Sequence, residues 1–326
     1  MTSRGRLFRV LGLVVAVAAV TACSDESSTP RGARSPVAET AESMSPASSA
    51  DGSTDLILDV DLEGRRMHVT CFGPMVPGEP IVLFEAGGGS PSDTWDAVVD
   101  ALVPTHRACS YDRAGVGASE PAPEARRTTK DLVADLERTL ELAGIEGPFV
   151  LVGHSMAVWP VAVYAAEHPN EVAGVVLVDP RAPHVSSRHR AALPPPRAGE
   201  PEAVTIWRKD ELGAFEHDPS LNPEHLDLTR SAAEASSKLD APGPLFGDVP
   251  LIVLSASESR VPFADLPPSI VERFDRIWHE EQRSLAEEST EGSYEVVAGS
   301  RHNIQVEQPQ AVITAVESVL SAATPG

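Results

Sequence analysis

Phe149-Val-Leu-Val-Gly153-His-Ser155-Met-Ala157 is an apolar run that ends in a tight turn carrying one serine. The run has the length and composition of a buried strand, and residues 156–168 behind it carry the spacing of a helix. A serine at such a junction sits on a sharp elbow, its hydroxyl pushed clear of the sheet and a helix N-terminus beneath it. Small residues on either flank, Gly153 and Ala157, let the strand and helix backbones pass close together. A pattern this short recurs by chance, and most serines are solvated loop residues or helix caps. The weight therefore falls on what surrounds it.

Upstream, residues 81–84 form a short apolar strand that runs into Gly87-Gly88-Gly89, where backbone can approach a ligand with no Cβ in the way. Next comes Tyr111-Asp112-Arg113-Ala-Gly115-Val-Gly117-Ala-Ser119, and far downstream Gly299-Ser-Arg301-His302-Asn-Ile304. In that order and at those separations the four pieces resemble the α/β-hydrolase superfamily, from about residue 55 to the C-terminus. The resemblance implies an α/β fold: a mostly parallel central sheet flanked by helices, with a helical cap inserted. Residues 55–181 and 248–326 would form the two parts of the core and 182–247 the cap.

A serine hydroxyl is a poor nucleophile until a base takes its proton, and a carboxylate must hold that base in one tautomer. Ser155 is the candidate nucleophile. Among ten histidines, His302 follows the last strand and precedes Ile304-Gln-Val-Glu-Gln-Pro309, a context similar to the family's catalytic-histidine loop, so it is the candidate base. The resemblance leaves the acid in one of two places. Glu258 stands in the loop after strand 251–254, if that loop is one residue short, and Asp179 stands directly after strand 172–178. Glu258 is placed first and Asp179 second. The resemblance assigns the oxyanion hole to the amides of Gly88 and Met156, and a loop-holding role to Asp112 and Arg113. His154 is expected to be structural, its ring turned away from the elbow.

The expected activity is ester cleavage, or less readily amide cleavage, through an acyl-enzyme, with no metal and no organic cofactor. A serine at the elbow argues against dehalogenase or epoxide-hydrolase chemistry, which uses a carboxylate nucleophile. The competing expectation is a binding lipoprotein that keeps the fold without catalysis. It draws on Ala157 and Arg301, which stand where the family usually has glycine, and on the displaced acid.

The opening residues lie apart from this core. Arg4, Arg6 and Arg9 precede an apolar run over residues 10–20 that is too short for a permanent bilayer span. It ends in Val20-Thr-Ala-Cys23, which resembles the lipobox of bacterial lipoproteins. That resemblance implies a signal peptide over residues 1–22, a lipid on Cys23, and an exported protein held at the outer face of the cell membrane. Residues 23–54 are rich in Ser, Pro, Ala and acidic residues and hold too little apolar surface to fold, so they read as a tether. A net charge of −22 argues against nucleic acid and anionic head groups as partners. In an exported chain the remaining cysteines, Cys71 and Cys109, suggest a disulfide, and in the superfamily their strands are sheet neighbours.

Periodicity supplies the rest. Residues 55–61 and 65–71 read as a hairpin around Glu63-Gly64, 129–143 as a helix closed by Gly144, and 268–289 as a long amphipathic helix. Residues 294–297 and 311–320 read as the last strand and helix, and Pro160 is expected to loosen the first turns after the serine.

Overall fold

The computed structural model describes residues 55–210, 218–258 and 266–324. The expected signal segment, Cys23 and the tether lie outside the described residues. Within them, strands β1 (Leu56–Leu62), β2 (Arg65–Phe72), β3 (Ile81–Glu85), β4 (Ala108–Tyr111), β5 (Phe149–His154), β6 (Val172–Val178), β7 (Leu251–Ala256) and β8 (Gly292–Val297) make one sheet. Their order is β1-β2-β4-β3-β5-β6-β7-β8. The β1–β2 and β2–β4 pairs are antiparallel and every other pair is parallel.

The helices are α1 (Asp96–Leu102), α2 (Thr129–Ala143), α3 (Val158–Glu167), α4 (Val185–Ala192), α5 (Glu202–Asp210), α6 (Leu228–Leu239), α7 (Pro268–Ala286), α8 (Ile304–Glu307) and α9 (Pro309–Ala323). The central strands are apolar along most of their length because side chains alternate between two buried faces, and the polar Glu85 and His154 come only at the ends of β3 and β5. Val82, Phe84, Val150, Val152 and Val176 share one core with Val98, Leu102, Val316 and Val319 of α1 and α9. Leu83, Leu151, Val175 and Leu177 point the other way, into a core with Leu132, Leu136, Val161 and Trp278 of α2, α3 and α7. Each of these side chains contributes about 1.5–3 kcal/mol by leaving water.

At the sheet edge the β1–β2 hairpin turns through Glu63 and Gly64 at φ 55° and 87°, both left-handed, the geometry that matches the strands' own twist. Cys71 and Cys109 stand directly opposite one another across β2 and β4, and the disulfide between them is formed. Parallel order brings the C-terminal ends of β3, β5, β6 and β7 to one edge of the sheet, and the loops there build the site.

Two local readings shift. The helix expected from residue 156 begins at Val158, after a 3-10 turn over Ser155–Ala157. Pro160 has no N–H to give the carbonyl of Met156, so the first turn cannot close in α-helical form. Among the described residues of 182–247 stand α4, α5 and α6, and α6, the longest of these three, packs beside α2 and α3 and buries Leu228, Ser231 and Ala235. That part of the segment belongs to the helical layer flanking the sheet.

Candidate active site

Ser155 follows the last residue of β5 and has φ 55°, a left-handed conformation that is strained for a residue with a Cβ. The strain turns the chain from strand to helix within one residue. Space under the elbow is tight: a Cβ on Gly153 would lie 3.2 Å from Val161 Cγ2 and 3.4 Å from Ala157 Cβ. Glycine at 153 thus keeps the end of the strand clear of Val161 on the helix.

The hydroxyl of Ser155 donates to Nε2 of His302 at 2.9 Å. On the other side of the ring, Nδ1 of His302 donates to Oδ2 of Asp179 at 2.6 Å. Here the structure corrects the order in which sequence placed the two acids. Asp179, not Glu258, reaches the ring; the Glu258 side chain is exposed, and its backbone N–H donates to the Ser300 carbonyl at 3.0 Å. The physical reason is that the loop after β8 folds back toward the end of β6, so the edge of His302 that faces protein meets a fully buried carboxylate.

Asp179 has the surroundings of a permanent anion. Its Oδ1 accepts from Gln282 Nε2 at 2.8 Å, Trp278 Nε1 at 3.0 Å and the Ala256 N–H at 3.2 Å. Burial pushes the carboxyl up, but the hydrogen bond and charge of His302, then Gln282 and Trp278, outweigh it and hold the pKa at about 2. Its φ of 39° is also left-handed.

The glycine loop lies against the elbow. A Cβ on Gly87 would stand 2.7 Å from His154 Nδ1 and 3.5 Å from Ser155 Cβ, and one on Gly88 would stand 3.3 Å from Met156 Sδ. Only a side-chain-free backbone can come this close, and it sets Gly87 against His154 and Ser155 and Gly88 against the Met156 side chain. Trp95 is fully buried behind the loop, with its ring 5.0 Å from Phe84 and 6.4 Å from His154.

Residues 81–315 match the model of the alpha/beta hydrolase family. The chain belongs to that family. YqjL of Bacillus subtilis, an uncharacterized protein, is 26% identical over 242 residues, which is 74% of this α/β-hydrolase and 84% of YqjL. The probable transporter efuK of Hormonema carpetanum is 37% identical over 124 residues, 37% of this chain but 18% of that one. Among solved structures, a thermophilic esterase from Thermogutta terrifontis shares the fold, with TM-score 0.53, 19% identity, and coverage of 84% of this chain and all (100%) of that chain.

Several further side chains of this α/β-hydrolase support the site, and of these Gln282 was not read from the sequence. Gln282 is a polar residue on the apolar face of α7, in line with Phe274, Trp278 and Leu285, and that break in the stripe was the available signal. His154 donates from Nε2 to the carbonyl oxygen of His302 at 2.9 Å, tying the histidine loop to the elbow. Arg301 is exposed and pairs with Glu307 at 3.0 Å. Asp112 accepts from the Ser92 and Ala118 amides at 2.8 Å each, and so has the loop-holding part expected of it. Arg113 reaches the carbonyls of Ala86 and Gly87 at 2.6 Å each.

Proposed function

We propose that this α/β-hydrolase is a serine hydrolase that cleaves carboxylic esters, and amides more slowly, through an acyl-enzyme on Ser155. The observation that carries the proposal is the continuous relay from Ser155 Oγ through His302 to Asp179, with hydrogen bonds of 2.9 and 2.6 Å. In the first half-reaction His302 Nε2 takes the hydroxyl proton as Oγ attacks the carbonyl carbon, and then gives that proton to the leaving alkoxide. The tetrahedral oxyanion is held by the amides of Gly88 and Met156. In the second half-reaction water replaces the alcohol, and His302 repeats both proton transfers. Asp179 stays ionised throughout, fixes the tautomer with Nδ1 protonated, and stabilises the imidazolium that forms. Amines leave less readily than alcohols, which sets the order of substrates. Residues 182–247, between β6 and β7, would supply the walls that choose the substrate.

The experiment is covalent labelling by a fluorophosphonate, which needs an activated serine. Labelling of the wild type and none of Ser155→Ala is the expected result. A folded wild type that takes no label would refute the proposal and favour a non-catalytic binding protein.

The same proposal extends to location. Val20-Thr-Ala-Cys23 supports a chain that is exported and anchored by a lipid on Cys23, with the tether of residues 23–54 standing the catalytic unit off the membrane. Radiolabelled palmitate incorporated by wild-type cells should be absent from Cys23→Ser, and unlabelled wild type would exclude the anchor.

A further inference from the structure

We propose that Glu224, which reaches the core from the segment between β6 and β7, is a positioning residue for the oxyanion hole. It acts through Arg113 and through the amide of Gly89. The inference rests on the serine-hydrolase function proposed above and assigns that site a further part.

Arg113 is buried to 3% exposure, and a guanidinium has five N–H groups to satisfy. Nε donates to Glu224 Oε2 at 2.6 Å. Nη1 donates to Glu85 Oε2 at 2.8 Å and to the Ala86 carbonyl at 2.6 Å. Nη2 donates to the Gly87 carbonyl at 2.6 Å and to Glu224 Oε1 at 3.1 Å. The cation is thus held between two buried carboxylates and grips two successive carbonyls of the glycine loop. Burial alone would lower its pKa, but Glu224 and Glu85 reverse that and raise it well above its usual value.

A trans peptide sets its C=O and the next N–H in opposite directions. With the Gly87 oxygen held on Arg113, the Gly88 N–H must point away from Arg113. The following peptide is fixed as well, because the Gly89 N–H donates to Glu224 Oε1 at 2.5 Å. Glu224 therefore touches both peptide groups that flank Gly88, one directly and one through Arg113.

The segment that bears Glu224 is built to hold it there. Asn222 closes a turn on Leu226, with its Nδ2 donating to the Leu226 carbonyl at 2.9 Å and its Oδ1 receiving the Leu226 N–H at 2.8 Å. Arg127 joins that turn to the core, its N–H on the His225 carbonyl at 2.8 Å and its carbonyl receiving the Asp227 N–H at 2.9 Å. Gly115, at φ 83°, leaves room for the Pro223 carbonyl where a Cβ would collide. Glu224 itself is 2% exposed. The aim of the oxyanion donor consequently depends on residues 222–227 being seated.

The test compares wild type, Glu224→Gln and Glu224→Ala as full chains, each with a thermal melt. Turnover is read on p-nitrophenyl butyrate, and inhibition by phenylboronic acid reports binding of a tetrahedral adduct. Glu224→Gln keeps the volume and an acceptor for Gly89, and the melt reports that it folds. Its kcat should fall about 10-fold with KM within about twofold of wild type, and Glu224→Ala should lose about 100-fold, up to the cost of one misdirected oxyanion donor. Boronic acid affinity should fall in parallel with kcat. Folded variants with kcat and boronic acid affinity within about twofold of wild type, or a loss confined to KM, would overturn the inference. A wild type that neither hydrolyses the ester nor binds the boronic acid would instead overturn the serine-hydrolase function, and this inference with it.

Discussion

Replacing Asp179 by asparagine keeps the shape of the side chain and removes its charge. Three donors set the consequence. Gln282 Nε2, Trp278 Nε1 and the Ala256 N–H all converge on Oδ1 at 2.8–3.2 Å, so the oxygen of the new amide must stay there. Its NH2 group is then forced into the place of Oδ2, 2.6 Å from His302 Nδ1, where it donates. That fixes the ring with its proton on Nε2, facing Ser155, and a protonated Nε2 cannot take the serine proton. The wrong tautomer should cost about 10⁴ in kcat/KM, or about 5.5 kcal/mol of barrier. The assay is kcat/KM on a p-nitrophenyl ester for Asp179→Asn beside Glu258→Gln, with melting curves to show that both fold. Glu258→Gln should stay within about twofold of wild type, because that side chain is exposed and Asp179 already occupies Nδ1. An Asp179→Asn enzyme within about 10-fold of wild type, or a large loss in Glu258→Gln, would refute the reasoning.

Three further outcomes are expected. Gly87→Ala would place a methyl 2.7 Å from His154 Nδ1, so the glycine loop must move off the elbow; kcat should fall by about 100-fold, and an unchanged kcat would contradict the close approach. Asp179 is held at about 2 in the folded protein against about 3.9 in the unfolded chain, so its stabilisation is present above pH ~4 and lost as pH falls through about 2. That amounts to roughly 2–3 kcal/mol, and the urea midpoint of the wild type should drop more between pH ~5 and ~2.5 than that of Asp179→Asn. The Cys71–Cys109 bridge spans 38 residues of sequence, and removing it should cost up to about 4 kcal/mol by loss of loop-closure entropy. Reductant should lower the urea midpoint of wild type and leave Cys71→Ala/Cys109→Ala unmoved; equal shifts in both would show that the bridge contributes nothing.

Sequence alone determined the alternation of apolar strands and helices, the serine at the end of 149–154, the glycine loop and the histidine after the last strand, because each is a local pattern with a local physical cause. Gly87 must be small, Ser155 must turn a corner, and a buried parallel strand must be apolar on both faces. Local patterns do not carry the choice of acid. Asp179 and Glu258 each follow a strand end, and nothing within a few residues of either says which lies near residue 302. The choice was made by the loop after β8, which crosses back to β6, and by Trp278 and Gln282, which converge on one oxygen of Asp179 from 99 and 103 residues away. Glu224 was illegible for the same reason: its partners Arg113 and Gly89 are 111 and 135 residues distant, and only packing brings a second carboxylate to a buried guanidinium. Periodicity and turn chemistry act over a few residues, whereas the energy of a buried charge depends on everything within a few ångströms of it, whatever the distance along the chain.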